Sequence, residues 1–271
     1  MRISFIGLGH LNSAILAGLL STGAPTSQVT ATTFSPQTAQ QRGAEYGIEV
    51  LAVQTDPEAN RKAVRDADLV VLGVKPQDMV STAQDLADAL QPTTTVVSVA
   101  AGITLDALTA ALPQGQPVVR TMPNVALTVG KGVVGMAVGS TVTEDQIHQV
   151  NEVFTASGTV FTLPEEQINA LAAIAGSGPG YVFRFVNALA AAGTELGLDQ
   201  DTAIDLARLT VVGAGSMLDD PAADPSALEA SIATEGGTTQ AALNSMDVNG
   251  FNELIVDALR ANVTRSEQLG A

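Results

Sequence analysis

The first residues that could do chemistry are two glycines near the start of the chain. Gly7 and Gly9 follow a short apolar run, Ile3 to Ile6, and precede a stretch of helical period in ISFIGLGHLNSAILAGL. The free N–H groups of a helix starting there would point at whatever lies above the sheet edge. Gly7 permits a tight turn and Gly9 leaves room for phosphates, while Asn12 replaces the third glycine of the usual fingerprint. The pattern predicts a dinucleotide site.

The end of the second predicted strand bears on the choice of cofactor. An NAD site usually has Asp or Glu there to hold the ribose 2′-hydroxyl. The segment VTATTFSPQ instead offers Thr33, Phe34 and Ser35, and the nearest carboxylate is Glu45. The missing acid favours NADP, whose 2′-phosphate Ser35 could contact, and leaves NAD possible. Ser35 could equally be only the cap of a helix that begins at Pro36.

Two later strand ends should flank the same ligand. They are Val74-Lys75-Pro76 in LVVLGVKPQ and Ala100-Ala101-Gly102 in VSVAAGIT. In an open parallel sheet the ligand lies beyond the carboxyl ends of the strands, so we expect these turns near the cofactor's sugar and nicotinamide. The segment VVRTMPN brings Arg120 and Asn124 to that edge, although Met122-Pro123-Asn124 alone is more typical of a strand-end turn.

Two regimes of hydrophobic pattern divide the chain. From residue 1 to about 163, short β-rich runs alternate with stretches of helical period, which predicts an α/β domain with a Rossmann-type doubly wound sheet. After TVFTLPEEQ the strands stop and only helical patterns remain. We therefore expect a dinucleotide-binding domain at 1–163 and an all-α dimerisation and substrate domain at 164–271.

Composition excludes several classes of function. The 271 residues include no cysteine and two histidines, so disulfides, thiolate chemistry and a histidine-rich metal cluster are not expected. The net charge of −16 argues against nucleic acid or an anionic membrane as partner. No run of 18 apolar residues occurs, and MRISFIGLG lacks the features of a signal peptide. A cytoplasmic protein is the expectation.

The ordered set of motifs identifies a family. GLGHL, VKPQ, VAAGIT, RTMPN, AGSGPGYVF and EGGTT, in this order, resemble the pyrroline-5-carboxylate reductases over essentially the whole chain. The resemblance implies a Rossmann domain joined to a helical domain that interlocks with a second subunit. It also implies an oxidoreductase of amino-acid biosynthesis, which reduces 1-pyrroline-5-carboxylate to L-proline with NADPH or NADH in the last step of proline biosynthesis.

The resemblance gives the segment TEGGTT a role. The loop Thr234 to Thr239 would hold the substrate carboxylate, because amides at the glycine pair could converge on an anion and the following helix adds its positive end. The hydroxyl of Thr239 would contact the ring nitrogen. The implied substrate-binding set is Thr234, Gly236, Gly237, Thr238 and Thr239, with Thr239 catalytic. Residue patterns and resemblance together predict the cofactor-binding set Gly7, Leu8, Gly9, His10, Leu11, Ser35, Asn60, Val74, Lys75, Pro76, Ala100, Ala101 and Asn124.

The expected mechanism depends on positioning. A protonated imine is already electrophilic, so hydride transfer needs mainly a stacked geometry, and no Lys, His or carboxylate is expected as an essential general acid. One departure from the family pattern bears on the substrate: Glu235 stands where proline is usual, beside the proposed carboxylate site. A divergent reductase of another cyclic imine and a catalytically silent NADP-binding paralogue stay open. A β-hydroxyacid dehydrogenase is disfavoured, because no lysine lies in the second predicted domain.

The segment GSGPGYVFRFVNALAAAG predicts how two chains meet. Ser177 and Pro179 indicate a helix start, and the helix that follows has small faces that allow another helix to approach closely. We expect that partner helix to belong to a second subunit, in a homodimer or higher homo-oligomer. The active site would then be composite, with the cofactor held by one chain and TEGGTT supplied by the other.

Overall fold

The computed structural model describes the backbone of residues 1–270 and the side chains of residues 1–268. This part of the chain forms two compact units. One contains Met1–Gly176 together with the segment from Val263 onward, and the other contains Ser177–Asn262.

The first unit is built on an eight-stranded sheet. Its strands are β1 (Ile3–Ile6), β2 (Val29–Thr33), β3 (Glu49–Ala52), β4 (Leu69–Leu72), β5 (Thr95–Ser98), β6 (Val118–Pro123), β7 (Gly132–Val138) and β8 (Gly158–Thr162). Their order in the sheet is β3-β2-β1-β4-β5-β6-β7-β8. All neighbouring pairs are parallel except β6 and β7. The chain order reverses between β1 and β4, which is where doubly wound sheets bind ligands.

Helices cover both faces of this sheet. They are α1 (His10–Ser21), α2 (Pro36–Tyr46), α3 (Ala59–Val64), α4 (Pro76–Leu86), α5 (Leu105–Ala111), α6 (Glu144–Thr155) and the short α7 (Ile168–Leu171). Phe5 packs in one core cluster with Ile15 and Phe154, whereas its neighbour Ile6 packs in a second cluster with Met79. Because both faces are buried, the central strands are mostly apolar, and the polar residues they contain (Ser4, Thr95 and Ser98) are buried as well. The predicted doubly wound sheet is confirmed.

A buried arginine ties β6 to the residues that follow the sheet. Arg120 is 5% exposed, and its Nη1 lies 2.9 Å from Oε1 of Glu165. The same carboxylate oxygen accepts the N–H of Leu105 at 2.8 Å. Nη2 of Arg120 donates to Oδ1 of Asn169, which also accepts from the hydroxyl of Ser266. Arg120, which the sequence placed at the ligand edge, is therefore used inside this unit.

The second unit is helical throughout. It contains α8 (Gly178–Glu195), α9 (Gln200–Met217), α10 (Pro225–Ile232) and α11 (Thr238–Val248), and it holds the start of α12 (Phe251–Gly270). Within residues 177–262, only Ala203 and Ala207 are buried apolar side chains, while Phe183, Val212 and Leu254 are 63%, 58% and 66% exposed. One chain alone leaves this unit without an apolar core of ordinary size. Across residues 1–270, every helix is too short or too polar to traverse a bilayer.

A glycine pair between β7 and β8 gives a test of the sheet. Gly132 and Gly158 are register partners, and a Cβ at residue 158 would lie 2.6 Å from the carbonyl carbon of Gly132 and 2.7 Å from its Cα. We expect Gly158→Ala to destabilise the fold by about 1–3 kcal/mol, measured by thermal denaturation, because backbone cannot move aside cheaply. The matched control is Gly43→Ala in α2, where the nearest atom is 3.4 Å away. It should stabilise by about 0.5–1 kcal/mol. An unchanged melting temperature for Gly158→Ala would contradict this packing.

Candidate active site

A cavity of about 770 Å³ opens at the carboxyl ends of β1, β2 and β4. Of the predicted cofactor-binding residues, the cavity is lined by Gly7, Leu8, Gly9, Ser35, Asn60, Val74 and Lys75. Lining residues that were not in the predicted set include Thr38, Val53, Asp78 and Thr82. The signal that could have found Asp78 and Thr82 is their position on α4, one and two turns after the predicted strand-end residues.

The first three N–H groups of the glycine turn are hydrogen-bonded within the protein. Gly7 has φ of +81° and donates its N–H to Oγ1 of Thr32, and Leu8 donates to the carbonyl of Thr32 at 2.7 Å. The N–H of Gly9 donates back to the carbonyl of Gly7 at 2.9 Å. Among the described residues, the N–H groups that follow this turn and have no acceptor are those of residues 10–12, at the start of α1. His10 and Leu11 can thus contribute to anion binding through their main chain.

Gly9 leaves an open space at the cavity that no residue of this unit fills. Its φ of −79° and ψ of −171° are open to any L residue, and a Cβ built there meets no atom within 4 Å. The glycine is therefore not required by the backbone or by packing. What a side chain would fill is the cavity over the start of α1, so these residues fit a bound pyrophosphate.

The end of β2 presents hydroxyl groups where an acid would select NAD. The Oγ of Ser35 accepts the N–H of Thr38 at 3.2 Å and lies 2.9 Å from Oγ1 of Thr38. Ser35 therefore caps α2 and lines the cavity as well, so the two interpretations of this residue are compatible. The lining carboxylate is Asp78 on α4, and the lining cation is Lys75.

Asn60, on α3, is a further lining residue of the cavity. Its Oδ1 is buried and has no hydrogen-bond partner among the described residues. The connection before α3 is held by Asp56, whose carboxylate accepts from the Lys62 ammonium at 2.6 Å and from the N–H of Glu58. The Lys62 hydrogen bond lowers the pKa of Asp56 below its usual range. This ion pair fixes the backbone beside Asn60.

Six predicted cofactor-binding residues do not line the cavity: His10 and Leu11 at the start of α1, and Pro76, Ala100, Ala101 and Asn124. Pro76 is the first residue of α4, and the N–H of Ala100 donates to Oγ of Ser98. Ala101 is exposed next to it. The side chain of Asn124 is fully engaged: Nδ2 donates to the carbonyl of Ala175, and Oδ1 accepts the N–H of Val133. Asn124 thus connects the end of β6 to β7 and to the turn at 172–176.

The segment TEGGTT forms a tight turn before α11 in the second unit. The N–H of Gly237 donates to the carbonyl of Thr234 at 2.9 Å, and Gly236 has φ of +72°, as the third position of a type II turn requires. A Cβ at Gly237 would lie 2.7 Å from Oγ1 of Thr234. Closing the turn therefore accounts for both glycines. Glu235 is exposed at the second position, where the backbone tolerates any residue.

The amides that face outward follow the glycine pair. In the described structure, the N–H groups of residues 238–240 have no acceptor, because the first helical bond runs from Ala241 to the carbonyl of Gly237. The hydroxyl of Thr239, on a half-buried side chain, is likewise without a described partner. This differs from the expectation for Gly237, whose amide is already used by the turn.

Comparison with known proteins gives a consistent result over the whole length. A family described as "Pyrroline-5-carboxylate reductase dimerisation" matches residues 165–269, and one described as "NADP oxidoreductase coenzyme F420-dependent" matches residues 2–102. Pyrroline-5-carboxylate reductase of Pseudomonas aeruginosa is 38% identical over 269 residues, which cover 99% of this chain and 96% of the relative.

Solved structures agree in fold. A pyrroline-5-carboxylate reductase of Coxiella burnetii is 32% identical, with a TM-score of 0.92 and coverage of 100% of this chain and 98% of that one. The Plasmodium falciparum pyrroline carboxylate reductase with NADP bound is 23% identical, with a TM-score of 0.84 and the same coverage, which shows likeness of fold.

Gly9 allows ligand binding to be separated from folding. We expect Gly9→Ala to keep the wild-type melting temperature but to weaken NADPH binding by about tenfold, because the new methyl group enters only the cavity. Binding is measured by titrating NADPH fluorescence. Gly43→Ala, outside the cavity, should bind NADPH as the wild type does. If Gly9→Ala bound NADPH with unchanged affinity, phosphates would not approach this glycine.

Proposed function

The chain belongs to the pyrroline-5-carboxylate reductase family, and from this premise we propose that it reduces 1-pyrroline-5-carboxylate to L-proline with NADPH, the last step of proline biosynthesis. The observation that carries the proposal is the pairing of two features in one fully matched chain. One is a cavity over the glycine-opened start of α1, and the other is a glycine-closed turn before α11.

The cofactor half consists of main-chain donors and hydroxyl groups. When bound, NADPH supplies a hydride at C4 of its nicotinamide. The amides at the start of α1 hold the pyrophosphate, with Gly9 giving it room. Beyond the end of β2, Ser35 and Thr38 receive the 2′-phosphate without repelling it, and Asn60 lines the cavity beside the nucleoside. Lys75 adds positive charge at the cavity wall.

The substrate half is the start of α11. The free amides of residues 238–240 and the positive end of the helix bind the ring carboxylate, so a chain of net charge −16 needs no arginine there. Gly236 and Gly237 shape the turn that presents these amides, and Thr234 accepts its closing hydrogen bond. Glu235 stays at the exposed corner of the turn, where proline would serve the same backbone role.

Thr239 holds the reacting nitrogen. As hydride reaches C5, the cationic imine becomes a neutral amine, and its electron pair returns to nitrogen. The hydroxyl of Thr239 keeps the ring oriented by a hydrogen bond to this nitrogen, and water settles the protonation afterwards. The second unit contributes no lysine to this chemistry, in line with a mechanism that depends on position.

The working unit is proposed to be a homodimer or a higher homo-oligomer with composite active sites. Support comes from the match to a dimerisation family over residues 165–269 and from the exposed apolar side chains of the second unit. In this arrangement the cofactor cavity of one chain works with the TEGGTT turn of its partner, and the helical segment 164–271 serves dimerisation and substrate binding. We place the enzyme in the cytoplasm, where reduced nicotinamide cofactors are supplied.

The direct test is steady-state oxidation of NADPH with five- and six-membered cyclic imino acids. We expect the highest kcat/KM with pyrroline-5-carboxylate and NADPH. Turnover of only a six-membered imine would contradict the proposed substrate, and NADPH binding without turnover of any imine would contradict the proposed activity.

Thr239→Ala should lower kcat by about one to two orders of magnitude, because the hydroxyl that orients the ring nitrogen is lost. NADPH affinity should stay unchanged, since residue 239 belongs to the substrate half. Thr239→Ser is the control, because it keeps the hydroxyl, and it should retain most of the activity. Equal turnover in the alanine and serine variants would remove Thr239 from the mechanism.

Ser35→Asp should shift the enzyme from NADPH toward NADH. Aspartate preserves the helix cap that Ser35 provides, but its charge repels a 2′-phosphate and can hold a 2′-hydroxyl. We expect the ratio of kcat/KM for NADPH to that for NADH to fall by at least about tenfold. Ser35→Asn keeps both the cap and neutrality, so it should leave the ratio near the wild-type value. A ratio unchanged by the aspartate would place the 2′-phosphate elsewhere.

A further inference from the structure

Asn12 occupies the position of the third glycine of the dinucleotide fingerprint, and its side chain is enclosed. It is 1% exposed in the first turn of α1. Its Nδ2 donates to the carbonyl of Gly7 at 3.0 Å. The usual glycine at this position allows close packing of helix on strand. Here a carboxamide fills that space.

The room for this carboxamide comes from another part of the chain. Gly73 directly follows β4, and its N–H donates to the carbonyl of Ile6 at 2.8 Å. A Cβ at residue 73 would lie 2.5 Å from Cγ of Asn12, 2.8 Å from Oδ1 and nearer still to Nδ2. The short, buried side chain of Asn12 could retreat only by breaking its bond to Gly7. A side chain at 73 and a carboxamide at 12 therefore exclude each other.

Stability alone does not account for Asn12. Its Oδ1 is buried and has no hydrogen-bond partner among the described residues, which is unfavourable for folding. Its other end binds the Gly7 carbonyl, the same oxygen that accepts the N–H of Gly9. The Asn12 bond thus fixes the peptide plane at the centre of the turn that carries the phosphate-binding amides.

We propose that Asn12 is a positioning residue for the dinucleotide turn, and that residue 73, instead of residue 12, is the position that must be glycine. Asn12 acts through Gly7 and not through contact of its side chain with the nucleotide. The inference rests on the cofactor half of the proposed function, and is independent of which imine is reduced.

A double-mutant cycle tests the exclusion. Asn12→Gly, Gly73→Ala and the double variant are compared with the wild type by NADPH fluorescence titration without imine and by thermal denaturation. Gly73→Ala alone should weaken NADPH binding by about tenfold or more, whereas in the Asn12→Gly background it should change the affinity by less than about twofold. If Gly73→Ala alone does not fold, the double variant should still fold and bind. Equal damage from Gly73→Ala in both backgrounds would overturn the proposal.

Asn12→Leu distinguishes the positioning of the turn through Gly7 from the mere filling of space beside Gly73. Leucine keeps the bulk but loses the donor to Gly7, so KM for NADPH should rise by about threefold to tenfold with kcat at saturation and KM for the imine unchanged. The melting temperature should not fall, because an unsatisfied buried acceptor is removed. A leucine variant that binds NADPH as the wild type does would reduce Asn12 to a space filler. A wild-type chain that binds no NADPH would overturn the proposed cofactor as well, whereas binding without imine turnover would leave this inference intact.

Discussion

We propose that main-chain N–H groups at the starts of two helices bind the two anions on which this enzyme acts. The chain carries 28 acidic and 12 basic side chains, yet its cofactor and its substrate are both anions. At the start of α1 and at the start of α11, a glycine-containing turn consumes the preceding amides and leaves the next three free. Helix ends of this kind bind anions without a cationic side chain. Excess acidity is therefore compatible with the chemistry.

Glycines serve these two sites for three separate reasons. Gly7 and Gly236 adopt positive φ, which L side chains rarely do. Gly73 and Gly237 leave room for a neighbouring side chain of their own unit, Asn12 and Thr234 respectively. Gly9 alone leaves room for something that the chain does not supply. Among these five glycines, only Gly9 combines an ordinary φ with open space at its Cβ position, and that space is part of the cavity.

The sequence predicted those features that local pattern determines. Five of the strands (β1, β2, β4, β5 and β6), the glycine turn after β1, the helical second half and the position of TEGGTT between two helices follow from periodicity and turn residues. The strands β3 and β7 and the antiparallel pairing of β6 with β7 were not predicted. Contacts between residues far apart in the chain did not follow. Arg120 pairs with Glu165, Asn124 donates to the carbonyl of Ala175, and Asn12 packs against Gly73. No local pattern encodes such pairs. The use of the Gly237 amide by its own turn was likewise not predictable, because composition does not fix which N–H closes a turn.

The boundary proposed near residue 163 follows the last strand, whereas the compact unit that contains the sheet continues to Gly176.

We propose that the start of α1 in one chain and the start of α11 in its partner form one active site. The most direct measurement coexpresses a Gly9→Val chain with a Thr239→Ala chain and assays purified mixed oligomers for imine reduction. Each variant alone is defective, but a site across two subunits can combine the intact cofactor half of one with the intact turn of the other. In a purified mixed dimer one of the two sites has both halves intact and the other has both halves defective, so we expect about one half of wild-type activity. Activity no higher than that of the two variants assayed separately would contradict it.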